Sequence, residues 1–267
     1  MYRIAPLFSK KVFTLTLSVL SMNALLQAQN EKAKPEDTEF YTPVPKIVTP
    51  GKTDAGAPSD ALVLFDGRNL DQWHAESDST KPAGWKVADG IVTVDKKSGG
   101  IITRQTFTDY QLHIEYRIPK NITGSGQARG NSGIFLAALD NNGGDVGYEL
   151  QVLDNYSNTT YVNGQAGSIY KQSVPLANPC RKPGEWQTYE VVWTAPRFKD
   201  DGTLESPARV TVFLNGVLVQ NNFELKGVTQ YIGAPYYKAH GPAPIKLQAH
   251  GDKSEPISYR NIWLRRL

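Results

Sequence analysis

The sequence predicts an all-β domain folded as a β-sandwich of two antiparallel sheets. Three observations carry this expectation: period-2 alternation recurs along the chain, no long helical period does, and glycines punctuate the intervals as turns. Leu112, Ile114, Tyr116 and Ile118 alternate with Gln111, His113, Glu115 and Arg117, a strand with one apolar and one polar face. His113, Glu115 and Arg117 read as charges decorating an exposed sheet face. Tyr148, Leu150 and Val152 alternate with Glu149 and Gln151. Further on, Tyr189, Val191 and Trp193 alternate with Glu190, Val192 and Thr194. Val210, Val212 and Leu214 run into Asn215-Gly216, a type I′ hairpin signal, with a return strand from Val217 to Val219. Ile257 to Leu264 closes the chain as a final strand. Antiparallel strands with large aromatics and few helices pack most simply as two layers.

The strands fall within residues 60–267, a length suited to one all-β domain, and all five tryptophans lie there. Residues 29–59 hold Pro35, Pro43, Pro45, Pro50 and Pro58 and read as an extended linker. Residues 1–28 have the form of a signal peptide: Lys10-Lys11, an apolar run from Val12 to Leu20, and Leu26-Gln27-Ala28 as a cleavage site. The apolar run is too short to span a bilayer. The only cysteine is Cys180, so no lipoprotein cysteine follows the cleavage site and the expected location is secreted or periplasmic.

Charge sharpens that expectation. The chain carries 29 Lys and Arg against 26 Asp and Glu, but Arg3, Lys10 and Lys11 lie in the first 28 residues, which hold no acid. The remainder is formally neutral. A neutral domain lacks the electrostatic footprint of a nucleic-acid binder, and that class is excluded.

Several polar residues stand where chemistry is possible. Glu149 and Gln151 share a strand face and Asp154 follows them; Gln248 and His250 share another, since Leu247 and Ala249 point away. Asn131 sits in Arg129-Gly130-Asn131-Ser132-Gly133, where glycines permit close approach. A carboxylate, an imidazole, amides and a guanidinium suit a sugar site with acid/base capacity. Alternation alone equally describes a solvated sheet face. His74 and His240 are placed in loops. Asp140 to Asp145 is rich in oxygen ligands but fails the EF-hand pattern and reads as a turn. No phosphate loop and no nucleophile elbow is present.

As an ordered set, these segments resemble a known family. They are Leu64-Phe65-Asp66-Gly67 with Trp73, Trp85 to Gly90, Asp109 to Leu112, Gly130 to Ile134, Tyr148 to Asp154, Gly167 to Tyr170, Gly184-Glu185-Trp186, Leu214-Asn215-Gly216, Leu247 to Gly251 and Arg260-Asn261-Ile262. The chain looks like a member of the 3-keto-disaccharide hydrolase family from about Ala61 to Leu267. Gln187, Ser168 and Tyr259 depart mildly from its usual residues. The resemblance implies a concanavalin A-like jelly-roll β-sandwich and action on glycosides oxidised at C3. It also implies a separate sugar 3-oxidoreductase upstream that makes the substrate.

A C3 ketone acidifies the C2 proton, so a base, an acid for the leaving group and an electrophile for the enolate oxygen suffice. Glu149 and His250 are the candidates for base and acid, with Asp154 as orienter. Arg129, Asn131, Gln151, Tyr170 and Gln248 are candidate substrate contacts. A divalent metal could replace the electrophile. The alternative is a non-catalytic, lectin-like carbohydrate-binding module, for which Tyr170, Tyr231, Tyr236 and Tyr237 would provide stacking. Pro196 to Pro207 reads as a lengthened hairpin.

Overall fold

The computed structural model describes residues 33–140 and 144–267. The expected signal peptide, residues 1–28, lies outside the described residues. Two units divide at residue 47: residues 1–47 and the compact unit Val48–Leu267. The described part of the first holds one short 3-10 turn, Pro35–Thr38, and exposes Phe40, Tyr41, Val44 and Ile47. No helix among the described residues is long and apolar enough to cross a membrane.

The second unit is a sandwich of two antiparallel sheets. The larger has eight strands, running from Val217–Glu224 through Arg209–Leu214, Trp186–Thr194, Tyr110–Arg117, Ser258–Arg266 and Ile91–Thr93 to Lys86–Ala88; Leu62–Phe65 also pairs with Ser258–Arg266. The smaller has six, in the order Asp78–Pro82, Trp73–Ala75, Ile101–Thr103, Lys246–Leu247, Ser132–Ala138 and Gly147–Val152. Asn215 and Gly216 both take positive φ, 52° and 80°, as the type I′ hairpin requires. Arg197–Phe198 and Leu204–Ser206 form the lengthened hairpin.

Alternation sends one face of each sheet into a shared core. Tyr110, Leu112, Ile114, Tyr189, Val191 and Leu264 come from the larger sheet, and Ile134, Leu136, Tyr148, Leu150 and Leu247 from the smaller; all are fully buried. Burial at about 25 cal/mol per Å² drives the layers together but is non-directional. Direction comes from three tyrosines of the larger sheet whose hydroxyls cross the core. Tyr110 Oη donates to Leu136 O at 2.7 Å, Tyr189 Oη to Gln151 O at 2.7 Å, and Tyr259 Oη bonds Ser132 Oγ at 2.8 Å. All three acceptor residues lie on Ser132–Ala138 or Gly147–Val152, so the larger sheet fixes the position of the strands that carry Gly133, Glu149 and Gln151.

Three expectations are corrected here. The outer face of the larger sheet is not open at its centre: His113 is fully buried and Glu115 nearly so. Residues ahead of Asp60 cover this region, with Asn261 Nδ2 and Trp263 Nε1 both donating to Ala55 O, at 2.7 and 3.0 Å. The segment after Val48 therefore belongs to the compact unit although its proline content reads as linker. His113 stacks on Trp263 with centroids 5.0 Å apart and pairs with Glu190 and Glu115. His74 is also misplaced by the sequence: it lies in the strand Trp73–Ala75, not a loop.

Burial opposes the charging of His113, but hydrogen bonds to Glu115 and Glu190 outweigh it and raise the imidazole to about 9. A raised pKa contributes stability fully present below the ordinary histidine value near 6.5 and lost as pH rises through about 9. Thermal unfolding between pH 6 and 10 should show a loss of about 2 kcal/mol over that window. His113→Phe should flatten this part of the profile and also change the acid limb, because the His113 hydrogen bond helps hold the Glu115 carboxyl down.

Candidate active site

On Gly147–Val152, Tyr148, Leu150 and Val152 enter the core, so Glu149 and Gln151 point to the opposite face of the smaller sheet. Antiparallel register aligns His74, Ile102, Lys246, Phe135 and Glu149 as one row across five strands of that face. The face is not solvated: Glu149 is 6% exposed, Gln151 1% and Lys246 0%. Gly133 lies against the Glu149 side chain; a Cβ there would sit 2.5 Å from Glu149 Oε1. Glycine at this position leaves room for the carboxyl.

Above this face a cavity of about 260 Å³ is lined by Asn131, Asp145, Glu149, Gln151, Tyr170, Thr229, Tyr231, Gln248 and His250. An outer compartment of about 490 Å³ shares Asn131, Tyr170, Tyr231 and His250 with it and adds Gln127, Ala128, Tyr161 and Lys171. His250 and Tyr170 therefore stand at the junction, whereas Glu149 belongs to the inner compartment alone.

The inner floor is strongly polarised. Lys246 Nζ pairs with Glu76, donates to Asp145 Oδ1 at 2.7 Å and to Gly144 O at 3.0 Å, and lies 5.1 Å from the Phe135 ring centroid. Glu76 Oε2 accepts Gly100 N–H at 2.7 Å, and Gln248 Nε2 donates to Asp145 Oδ2 at 2.7 Å. One ammonium thus serves two carboxylates, which leaves Glu149 next to a local excess of negative charge. Burial first, and then the charge of Asp145, push the Glu149 carboxyl up to about 8, with Lys246 offsetting part of the rise.

Across the cavity, His250 Nδ1 bonds Asp252 Oδ2 at 2.8 Å, leaving Nε2 as the free ring nitrogen. Burial disfavours a charged Asp252, but Ser254, Lys96 and His250 hydrogen-bond it and hold its carboxyl below the usual range. Lys96 Nζ donates to Asp252 Oδ1 at 2.9 Å. The resulting Lys96–Asp252–His250 chain fixes the imidazole orientation.

Two amide oxygens, Gln151 Oε1 and Gln248 Oε1, are buried without a hydrogen-bond partner. Their amide nitrogens are spent: Gln151 Nε2 donates to Asn131 Oδ1 at 3.1 Å and Gln127 Oε1 at 3.2 Å, and Gln248 Nε2 to Asp145. A flip would set each oxygen against another acceptor, so the network assigns both oxygens as free acceptors for ligand hydroxyls. Asn131 Nδ2 is itself engaged by Gln127 O at 2.8 Å. Tyr170 and Tyr161 share a hydroxyl hydrogen bond of 2.6 Å; burial, then that bond, hold the Tyr170 phenol well above its ordinary range, so it stays protonated.

Six of the expected residues converge: Glu149, His250, Asn131, Gln151, Tyr170 and Gln248. Arg129 and Asp154 do not line either compartment. They pair with each other at 2.6 Å, with Arg129 also donating to Ile122 O at 3.0 Å, and thereby tie a loop to the strand end. The carboxylate bonded to His250 is Asp252, whereas Asp154 pairs with Arg129. Sequence reading also passed over Glu76, Asp145 and Lys246. Lys246 was accessible, being two residues before Gln248 on the same face; Asp145 was hidden inside a turn-like run. Tyr236 and Tyr237 lie outside both linings, the latter's hydroxyl donating to Leu225 O at 2.7 Å. Among the described residues no three His, Cys, Asp or Glu side chains group as a metal site. The donors do not fit the expected divalent ion, and no step is derived through one.

An all-β sandwich with an acidic, amide-rich cleft defines a carbohydrate-active class of domain, and comparison with known proteins names the family. Residues 60–265 match the 3-keto-alpha-glucoside-1,2-lyase-like domain, and the chain belongs to that family. A candidate glycosyl hydrolase from Parabacteroides distasonis ATCC 8503 is 53% identical, with 89% of this chain and 98% of that chain covered and a TM-score of 0.81. Two others from the same organism share the fold at 18% and 20% identity, with TM-scores of 0.55 and 0.56; each covers 78% of this chain, and 94% and 99% of its own. No curated protein matches.

Removing one partner of a buried ion pair strands the other. Lys246→Met should destabilise the domain by about 3–5 kcal/mol in denaturant unfolding, and the double change with Glu76→Gln should recover part of that loss.

Proposed function

We propose that the protein cleaves glycosides of 3-keto sugars by abstracting the C2 proton and eliminating the C1 substituent. The observation that carries this reading is Glu149: a buried carboxyl raised to about 8, facing a cavity, with no side-chain hydrogen bond to another described residue. A carboxylate that is desolvated and unpaired is a stronger base than one in water, and removing a carbon-bound proton needs that strength. A purely binding site has no use for it. Family membership supports a 3-keto-glucoside as the substrate, and the resemblance to a candidate glycosyl hydrolase supports action on a glycoside.

In this reading each residue of the cleft has a role. The inner compartment is small enough to hold one sugar ring, with the Gln151 and Gln248 oxygens accepting its hydroxyls. Glu149 takes the C2 proton, and the C2–H electron pair moves to form an enolate at C3. The protonated Tyr170 hydroxyl donates to the enolate oxygen. The enolate then collapses: the C3 carbonyl re-forms, C1 and C2 become doubly bonded, and the bond from C1 to the aglycone oxygen breaks. His250, at the junction of the compartments and oriented by Asp252, gives that oxygen its proton. Water later adds across the double bond, hydroxyl to C1 and proton to C2, for net hydrolysis.

A base acts only when ionised, so kcat/KM on a 4-nitrophenyl 3-keto-glucoside, whose leaving group needs no proton, should rise with pH to a plateau with a midpoint near the Glu149 value of about 8. Glu149→Gln should lower turnover by about 10²–10⁴-fold. His250→Ala should slow a substrate with an alkoxide leaving group far more than one releasing 4-nitrophenolate, which leaves without a proton. If both variants keep wild-type turnover, the assignment fails.

A further inference from the structure

The two compartments differ in charge as well as position. The inner one is lined by two carboxyl groups, Asp145 and Glu149, of which Asp145 carries the negative charge; among the described residues the outer lining has no acid and one ammonium, Lys171. Lys171 sits among three phenol rings, its Nζ 4.4 Å from the Tyr231 centroid, 5.7 Å from Tyr161 and 5.8 Å from Tyr170. Its backbone is held at φ 59°, a left-handed conformation unusual for a lysine, by Lys171 N–H donating to Asn163 O at 2.8 Å. Nζ donates to Tyr231 O at 2.6 Å. Among the described residues Lys171 forms no ion pair, in contrast to Lys246 and Lys96. The ammonium is therefore positioned by a carbonyl and ring faces, leaving its charge uncompensated towards the outer compartment.

We propose that the outer compartment is an anion-selective subsite, with Lys171 binding a carboxylate, sulfate or phosphate on the aglycone and Tyr161 and Tyr231 flanking its body. The placement of the aglycone there rests on the cleavage proposed above; the anion preference itself rests only on the compartment. Two features make Lys171 the selective element. Cation–π contacts hold the ammonium of this exposed residue beside ring faces. The acids of the inner compartment disfavour an anionic ring there, so a substrate with one charged end has one orientation. The surrounding rim exposes Tyr231 and Ile232, at 71% and 82%, which gives an apolar approach to a planar aglycone.

The test compares phenyl and 4-carboxyphenyl glucosides, both anomers, by isothermal titration against the wild-type chain and Lys171→Met at low salt. Neither glucoside is oxidised at C3, so binding is read without turnover. The wild type should bind the carboxylated ligand roughly threefold to fivefold more tightly, the range of a solvent-facing ion pair. That preference should vanish in Lys171→Met and shrink as salt is raised, while phenyl glucoside binding changes little. An unchanged preference in Lys171→Met, no preference in the wild type, or binding of neither glucoside overturns the proposal. Failure to cleave 3-keto-glucosides would instead count against the cleavage reading. In a parallel kinetic arm, Lys171→Met should lower kcat/KM for the 3-keto form of the carboxylated glucoside and spare that of the phenyl one.

Discussion

Glu149 remains desolvated and unpaired at the floor of the cleft because Lys246 is committed elsewhere. A buried carboxylate with a free ammonium beside it would form an ion pair and lose its basicity. Here Glu76, Asp145 and the Gly144 carbonyl take the donors of Lys246, and Phe135 lies between the Lys246 and Glu149 positions in the cross-strand row. The ammonium still offsets part of the rise. The same arrangement orients Gln248 through Asp145, so one lysine sets both the electrostatics around Glu149 and the direction of the Gln248 amide.

This chemistry needs a rigid floor, and the rest of the sandwich supplies it. Glu149 and Gln151 stand together on one six-residue strand, Gly147–Val152, next to Ser132–Ala138. The core-crossing hydroxyls of Tyr110, Tyr189 and Tyr259 hold these two strands from behind, each bonding one of them. Positioning within about half an ångström is what a catalytic constellation requires, and bonds from a larger, eight-stranded sheet provide it. The outer face of that larger sheet is in turn closed by the His113, Glu115 and Asn261 cluster under Ala55.

Much of this was legible in the sequence, and the omissions share a cause. Period-2 alternation found the long strands, and Asn215-Gly216 fixed a hairpin, because both are local properties of the chain. The alternation also put Glu149 with Gln151 and Gln248 with His250 on common faces, though it could not distinguish a solvated face from a covered one. That distinction depends on loops folding over the sheet, which is why His113 was read as exposed and Asp145 as an ordinary turn residue. Arg129 and Asp154 looked like site residues through proximity to Asn131 and Gln151, yet each satisfies the other. Asp252 follows His250 by two residues and its side chain also accepts Ser254 N–H at 2.7 Å, a local motif that a search for distant orienters overlooks.

The central claim is that the C2 proton leaves to Glu149 before the glycosidic bond breaks. Turning over a 3-keto-glucoside in heavy water and reading C2 of the early product by proton NMR tests it most directly. The account predicts that the C2 proton is lost, with deuterium at C2 wherever water has added, and that Glu149→Gln abolishes this label along with turnover. A 3-keto sugar product that retains its C2 proton, or substrate that is bound without exchange or cleavage, would contradict it.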